Sequence, residues 1–121
     1  MTRTATTALR AHDFNGAPVV HVQMSNSRGT FATFDAGDYE QLRTRFPGAW
    51  RLNDNGRGAV YVRAKTPGLN YRNVNLAREV LQPGLGRVVR YRDGNRLNLR
   101  RSNLQVKEGG TRRRSRALLL T

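Results

Sequence analysis

The stretch richest in chemistry runs from Arg87 to Leu104 and reads Arg-Val-Val-Arg-Tyr-Arg-Asp-Gly-Asn-Arg-Leu-Asn-Leu-Arg-Arg-Ser-Asn-Leu. Its guanidinium groups, on Arg87, Arg90, Arg92, Arg96, Arg100 and Arg101, face one carboxylate, that of Asp93. A guanidinium stays protonated at any accessible pH, so it serves neither as a general base nor as a metal ligand. It is well suited to donating paired N–H groups to phosphate oxygens. Tyr91 has no neighbouring base to turn its hydroxyl into a nucleophile and reads as a packing or stacking aromatic. Asp93-Gly94-Asn95 between extended segments is a hairpin signal, because Gly tolerates the positive φ of a tight turn. Ser102 or Asn103 then caps or closes a short helix. The expected unit is a hairpin running into a helix, with Arg90 and Arg92 on one strand face and Tyr91 on the other.

These residues resemble the ββα core of HNH homing-type endonucleases. The frame of that family, with a Leu-His-Arg element, a Val-Asp-His strand, a Gly-Asn-x-Leu turn and a closing Asn-Leu, is similar to Leu76-Ala77-Arg78, Val89-Arg90-Tyr91, Gly94-Asn95-Arg96-Leu97 and Asn103-Leu104 here. The segment from Phe34-Asp35 through Trp50-Arg51-Leu52 and Tyr61-Val62-Arg63 resembles the small sheet that precedes this core in phage and intron HNH proteins. That sheet is similar in turn to the plant ethylene-response type of DNA-binding domain. The likeness covers roughly residues 30–106. By the resemblance, Arg90 and Tyr91 stand where a metal-ligand carboxylate and the general base belong. Ala77 replaces another His, Arg112 falls near a further ligand position, and only Asn103 keeps its polar letter. The resemblance therefore implies an HNH-like scaffold without metal or hydrolysis, whose nucleic-acid-facing surface is retained. In its plant-type relatives the sheet reads the major groove. Here Trp50 is expected in the core instead, with Arg51 and Arg63 as the exposed contacts.

Elsewhere the reactive residue types are sparse. His12 and His21 lie outside any ligand-like cluster, and without cysteine there is no disulfide framework or thiolate zinc site. Asp35, Asp38 and Glu40 sit at a helix start, where capping and the helix dipole account for acidic side chains. No cofactor is expected.

The chain has 121 residues and a formal net charge of +14, from 22 basic and 8 acidic residues. Residues 87–121 hold eleven of the basic residues and two of the acidic ones. A face kept only for solubility would mix its signs, so this imbalance points to a polyanion. The cluster Arg112, Arg113, Arg114 and Arg116 is expected to track phosphates beside the core, with Leu118, Leu119 and Leu120 packing onto the sheet or a partner. No apolar run approaches the ~20 residues of a membrane span, and no membrane partner is expected.

The elements that must position these groups follow from pattern. Ala17–Met24 and Thr30–Phe34 read as strands around a turn at Ser25–Gly29, and Ala36 to about Arg45 as a helix with Tyr39, Leu42 and Phe46 inward. Ala49–Asn53 and Gly58–Arg63 read as paired strands around Asp54-Asn55-Gly56. Tyr71–Leu81 reads as a short strand passing into a helix capped by Asn75 and stopped by Pro83-Gly84. The expected organisation is a flexible N-terminus (1–16), one HNH-like α+β domain (17–106) and a basic tail (107–121). Within that domain a small antiparallel sheet with a supporting helix precedes the hairpin–helix unit. Nucleic acid is the expected partner, DNA ahead of RNA, with a protein partner the further option. The cytoplasm of a bacterial or phage-infected cell is the expected compartment and an organelle the alternative. Two other readings compete: an active or weakly active HNH-type nuclease, and an RNA-scaffold or interaction protein of a ribonucleoprotein or phage-inhibitor type.

Overall fold

Period-two alternation in Pro18-Val-Val-His-Val-Gln-Met24 sends Val20, Val22 and Met24 to one side, and all three are buried. In the computed structural model, which describes residues 7–108, this segment is β2, the centre of an antiparallel sheet of order β1-β2-β3, with β1 at Ala8–His12 and β3 at Ser27–Asp35. The first sixteen residues are thus not a loose terminus throughout. Ala8 pairs with Val22 and His12 with Pro18, and the Asp13 carboxylate closes the turn by accepting the Asn15 and Ala17 N–H groups, each at 2.8 Å.

Helix α1 spans Ala36–Arg45, with Tyr39 and Leu42 buried. Asp35 holds the N-cap position, but its carboxylate makes no cap bond. Strands β4 (Arg51–Asp54), β5 (Val60–Lys65) and β6 (Asn73–Asn75) form a second antiparallel sheet in sequence order. Asn75 then caps α2 (Leu76–Leu81) by accepting the Ala77 N–H at 3.0 Å. Between the sheets, Phe34 and Tyr39 meet Trp50 edge-on at 5.2 and 5.7 Å between centroids, the favourable quadrupole geometry. Trp50 is fully buried, and its indole N–H donates to the Phe46 carbonyl at 2.9 Å. One apolar cluster joins these residues to Val62, Leu76, Leu99 and Leu104, giving an α+β fold of small antiparallel sheets with two helices among the described residues.

The segment from Arg87 departs from the hairpin–helix expectation. Strand β7 (Arg87–Tyr91) pairs with β8 (Leu104–Glu108), and loop 92–103 joins them where a tight turn and helix were expected. Side chains organise this loop. Asp93 Oδ1 accepts the Asn95 N–H at 2.8 Å, Asn95 Oδ1 accepts that of Leu97 at 2.9 Å, and Gly94 takes φ +78°. Such local bonds compete with helix formation for the same N–H groups. The loop docks on β3, where Thr33 N donates to the Leu97 carbonyl at 2.7 Å and Leu99 N to the Thr33 carbonyl at 2.8 Å. Asn98 lies between these bonds, opposite Thr33, and Leu99 beside it is buried. Lys107 and Glu108 belong to β8 and not to a linker. Arg112, Arg113, Arg114, Arg116 and the terminal leucines lie outside the described residues.

Candidate nucleic-acid interface

Alternation along β4 and β5 turns Leu52, Val62 and Ala64 toward the core and leaves Arg51, Asn53, Tyr61, Arg63 and Lys65 on the opposite face. The register sets Arg51 directly across from Arg63 and Asn53 across from Tyr61. Two like charges are therefore nearest neighbours on this face. The Arg63 Nε is buried and has no hydrogen-bond partner among the described residues.

Arginine and tyrosine interleave from here toward β7. The Arg63 guanidinium carbon lies 5.4 Å from the Tyr61 ring centre, and that of Arg96 lies 4.9 Å from Tyr61 and 5.2 Å from Tyr91. Loop 92–103 thus carries Arg96 across to the outer face of β5, a cation within reach of two aromatic rings. Burial pushes the Tyr91 phenol above its ordinary pKa, against the opposing pull of Arg96, so the hydroxyl stays protonated at neutral pH. Tyr61, Val88, Arg90, Tyr91, Gly94 and Arg96 line an open cavity of about 330 Å3. Arg90 and Arg92 are exposed. Arg87 is exposed as well and forms a loose ion pair with Glu108, Nε to Oε2 3.6 Å.

Two expected contact residues have other work. Arg100 donates from Nε to Asp35 Oδ1 at 2.8 Å, and its Nη1 lies 2.9 Å from Asp13 Oδ2. Arg101 grips Asp38 with Nε and Nη2 at 2.9 and 3.0 Å and donates from Nη2 to the Val80 carbonyl at 3.0 Å. Hydrogen bonds to Asp35 and to Asp38, respectively, raise the pKa values of these two guanidinium groups. The Asp35 carboxylate is drawn to Arg100 and to the Arg101 N–H, 3.0 Å away, which is why it does not cap α1. Arg100 and Arg101 fasten loop 92–103 to α1 and β3, and their guanidinium groups are spent on those contacts.

Asn103 is also structural. It is buried, its Oδ1 accepts the Asp93 N–H at 3.0 Å, and its Nδ2 donates to the Asn98 carbonyl at 2.9 Å. Arg90 projects outward from β7, and Tyr91 packs with Arg96, so neither converges with Asn103 on a shared atom. His21 Nδ1 pairs with the Thr33 hydroxyl at 2.9 Å, while His12 is exposed. Among the described residues no three His, Cys, Asp or Glu side chains come together in a way that would hold a metal ion. No described helix is long and apolar enough to cross a membrane.

Sequence reading missed one member of this face. Lys65 follows Arg63 on the same side of β5, with its Nζ 4.3 Å from the Tyr71 ring centre, and the alternation of Tyr61 and Arg63 with buried Val62 and Ala64 would have placed it. The meeting of Arg96 with Tyr61 left no local signal, because it depends on how a loop folds over a strand. Comparison of the chain with protein-family models, with curated proteins and with solved structures finds no match in any of the three.

Proposed function

We propose that this protein binds nucleic acid, duplex DNA in the first place, through the outer face of β4 and β5 and the adjoining β7 and its loop. Arg51, Arg63, Arg90, Arg92 and Arg96 contact phosphates, and no strand cleavage accompanies binding. The observation that carries this reading is Arg51 standing opposite Arg63. Like charges directly across a strand pair destabilise a sheet, and a phosphate backbone laid over them turns that repulsion into attraction. The distribution of acids supports the same reading. Asp13, Asp35, Asp38, Glu40, Glu79 and Glu108 are ion-paired with Arg10, Arg45, Arg87, Arg100 and Arg101. The five proposed contacts have no carboxylate partner among the described residues.

The resemblance to HNH domains favours duplex DNA over RNA, and Arg90 and Tyr91 at the positions of ligand and base favour binding without hydrolysis. Phosphate contacts hold a protein in register on the duplex without specifying a base. The test is fluorescence anisotropy with a labelled duplex at several salt concentrations. About six phosphate contacts, those of the five face arginines and one from the basic tail, give a log–log salt slope near −5. A slope near zero refutes the proposal. Supercoiled plasmid held with Mg2+ or Mn2+ stays intact on this reading, and nicking that survives Arg90→Ala and Asn103→Ala points to a different site.

A further inference from the structure

We infer that the cavity between β5 and β7 receives one unpaired nucleobase, so that the protein prefers DNA carrying a bulged nucleotide to a fully paired duplex. This rests on the nucleic-acid reading above and adds which feature of the DNA is recognised. The cavity, about 330 Å3, lies at the small end of ligand-sized pockets. Its walls are the rings of Tyr61 and Tyr91 and the apolar side chain of Val88, its cations are Arg90 and Arg96, and no carboxylate lines it.

That combination matches a nucleotide better than either of its parts alone. A phosphate needs cations but has no use for ring and aliphatic walls. A base has apolar faces that stack on an aromatic ring or on a guanidinium plane, and its flanking phosphates are anionic. Arg96 supplies such a plane, held over Tyr61 and Tyr91 at 4.9 and 5.2 Å. Arg90, exposed at the rim, reaches a flanking phosphate. A base already stacked and paired in a duplex must first be pulled out to enter, whereas a bulged one is nearly free to do so. The preference follows from that difference in cost.

The test uses the full chain and two short duplexes of equal length, one fully paired and one with a single bulged aminopurine. The bulged duplex binds about tenfold tighter, the scale of one base–aromatic stack, and the aminopurine fluorescence is quenched on binding. In Tyr61→Leu, and separately in Arg96→Lys, which keeps the charge but loses the plane, the preference falls toward one. Equal affinity for the two duplexes with unquenched aminopurine overturns the inference and leaves duplex binding standing. A preference that survives both variants also overturns it. Failure to bind either duplex brings down this inference together with the reading beneath it.

Discussion

Arg100 bridges two carboxylates from distant parts of the chain, with its Nε 2.8 Å from Asp35 Oδ1 and its Nη1 2.9 Å from Asp13 Oδ2. With Arg101 on Asp38 it locks loop 92–103 against β3 and the start of α1, and so fixes where Arg96 emerges. Asp35 is the pivot of this lock, since it also accepts the Arg101 N–H. Asp35→Ala removes two hydrogen bonds to a charged acceptor and leaves Arg100, half-buried, with Asp13 alone. A loss of about 2 kcal/mol is expected, seen as a lower urea midpoint with an unchanged slope. A variant as stable as the parent would show that the Asp35 bonds add nothing to what Leu99, the Thr33 backbone bonds and Arg101 on Asp38 already supply.

Two turn carboxylates set the response to acid. Asp13 is held below the ordinary aspartate pKa, chiefly by the Ala17 N–H and further by Arg100, and Asp93 chiefly by the Asn95 N–H and further by the Asn98 amide. A depressed folded-state pKa means stability that is fully present above the unfolded value, about 3.9. That stability is lost as pH falls through the folded value. Melting temperatures followed downward from neutral pH should hold steady until about pH 4 and then drop. Asp93→Asn, which cannot titrate there, should show a shallower drop.

Asn103 separates a structural from a catalytic role at the one polar position where the sequence resembles the HNH frame. Both ends of its side chain are spent inside the loop, on Asp93 N–H and the Asn98 carbonyl. Asn103→Ala takes the side-chain partner from the Asp93 N–H and from the Asn98 carbonyl, each such bond being worth about 0.5–1.5 kcal/mol, so the variant should melt lower. Its DNA affinity, measured where it is still folded, should match the parent. Weaker binding by a fully folded Asn103→Ala would place this residue in the ligand's path.

Much of the frame was legible locally. Pro47-Gly48 marks the end of α1, Asn75 and Pro83-Gly84 bracket α2, and Trp50 is the core residue its surroundings suggest. What escaped depends on contacts between distant segments. Ala8-Leu-Arg-Ala-His12 has no β-branched residue and becomes a strand because β2 offers it an edge. Leu104-Gln-Val-Lys-Glu108 does alternate, but Ser102 and Asn103 read as helix caps until β7 is seen to pair with it. The arginines look equivalent in sequence. Only the fold separates Arg100 and Arg101, neutralised by aspartates more than sixty residues away, from Arg51, Arg63 and Arg96 on the open face.

Placing Arg51 opposite Arg63 predicts opposed effects on folding and binding. Arg51→Ala relieves a like-charge cross-strand pair and should stabilise the protein by about 0.2–1 kcal/mol. The same change removes a phosphate contact, so DNA binding should weaken and the salt slope fall by about one unit. Thermal melts and salt titrations on one preparation test both halves. A variant that is less stable, or that binds with an unchanged slope, removes the case for this pair as a phosphate site.

A comparison within loop 92–103 and the strand before it separates surface charge from neutralised charge. Arg90 and Arg92 are exposed and unpaired with any described carboxylate, whereas Arg101 is bidentate on Asp38. Removing Arg90 and Arg92 together should lower the salt slope by about two units. Arg101→Ala subtracts the same charge per residue from the whole chain, yet that charge is already balanced where it sits. Its slope should stay within error of the parent, while its stability falls as Asp38 and the Val80 carbonyl lose their donor. If binding simply tracked net charge, Arg101→Ala would shift the slope as far as Arg90→Ala does. Equal shifts in the two variants would mean a diffuse electrostatic cloud, and a shift confined to Arg90 and Arg92 locates the interface on β7 and the start of its loop.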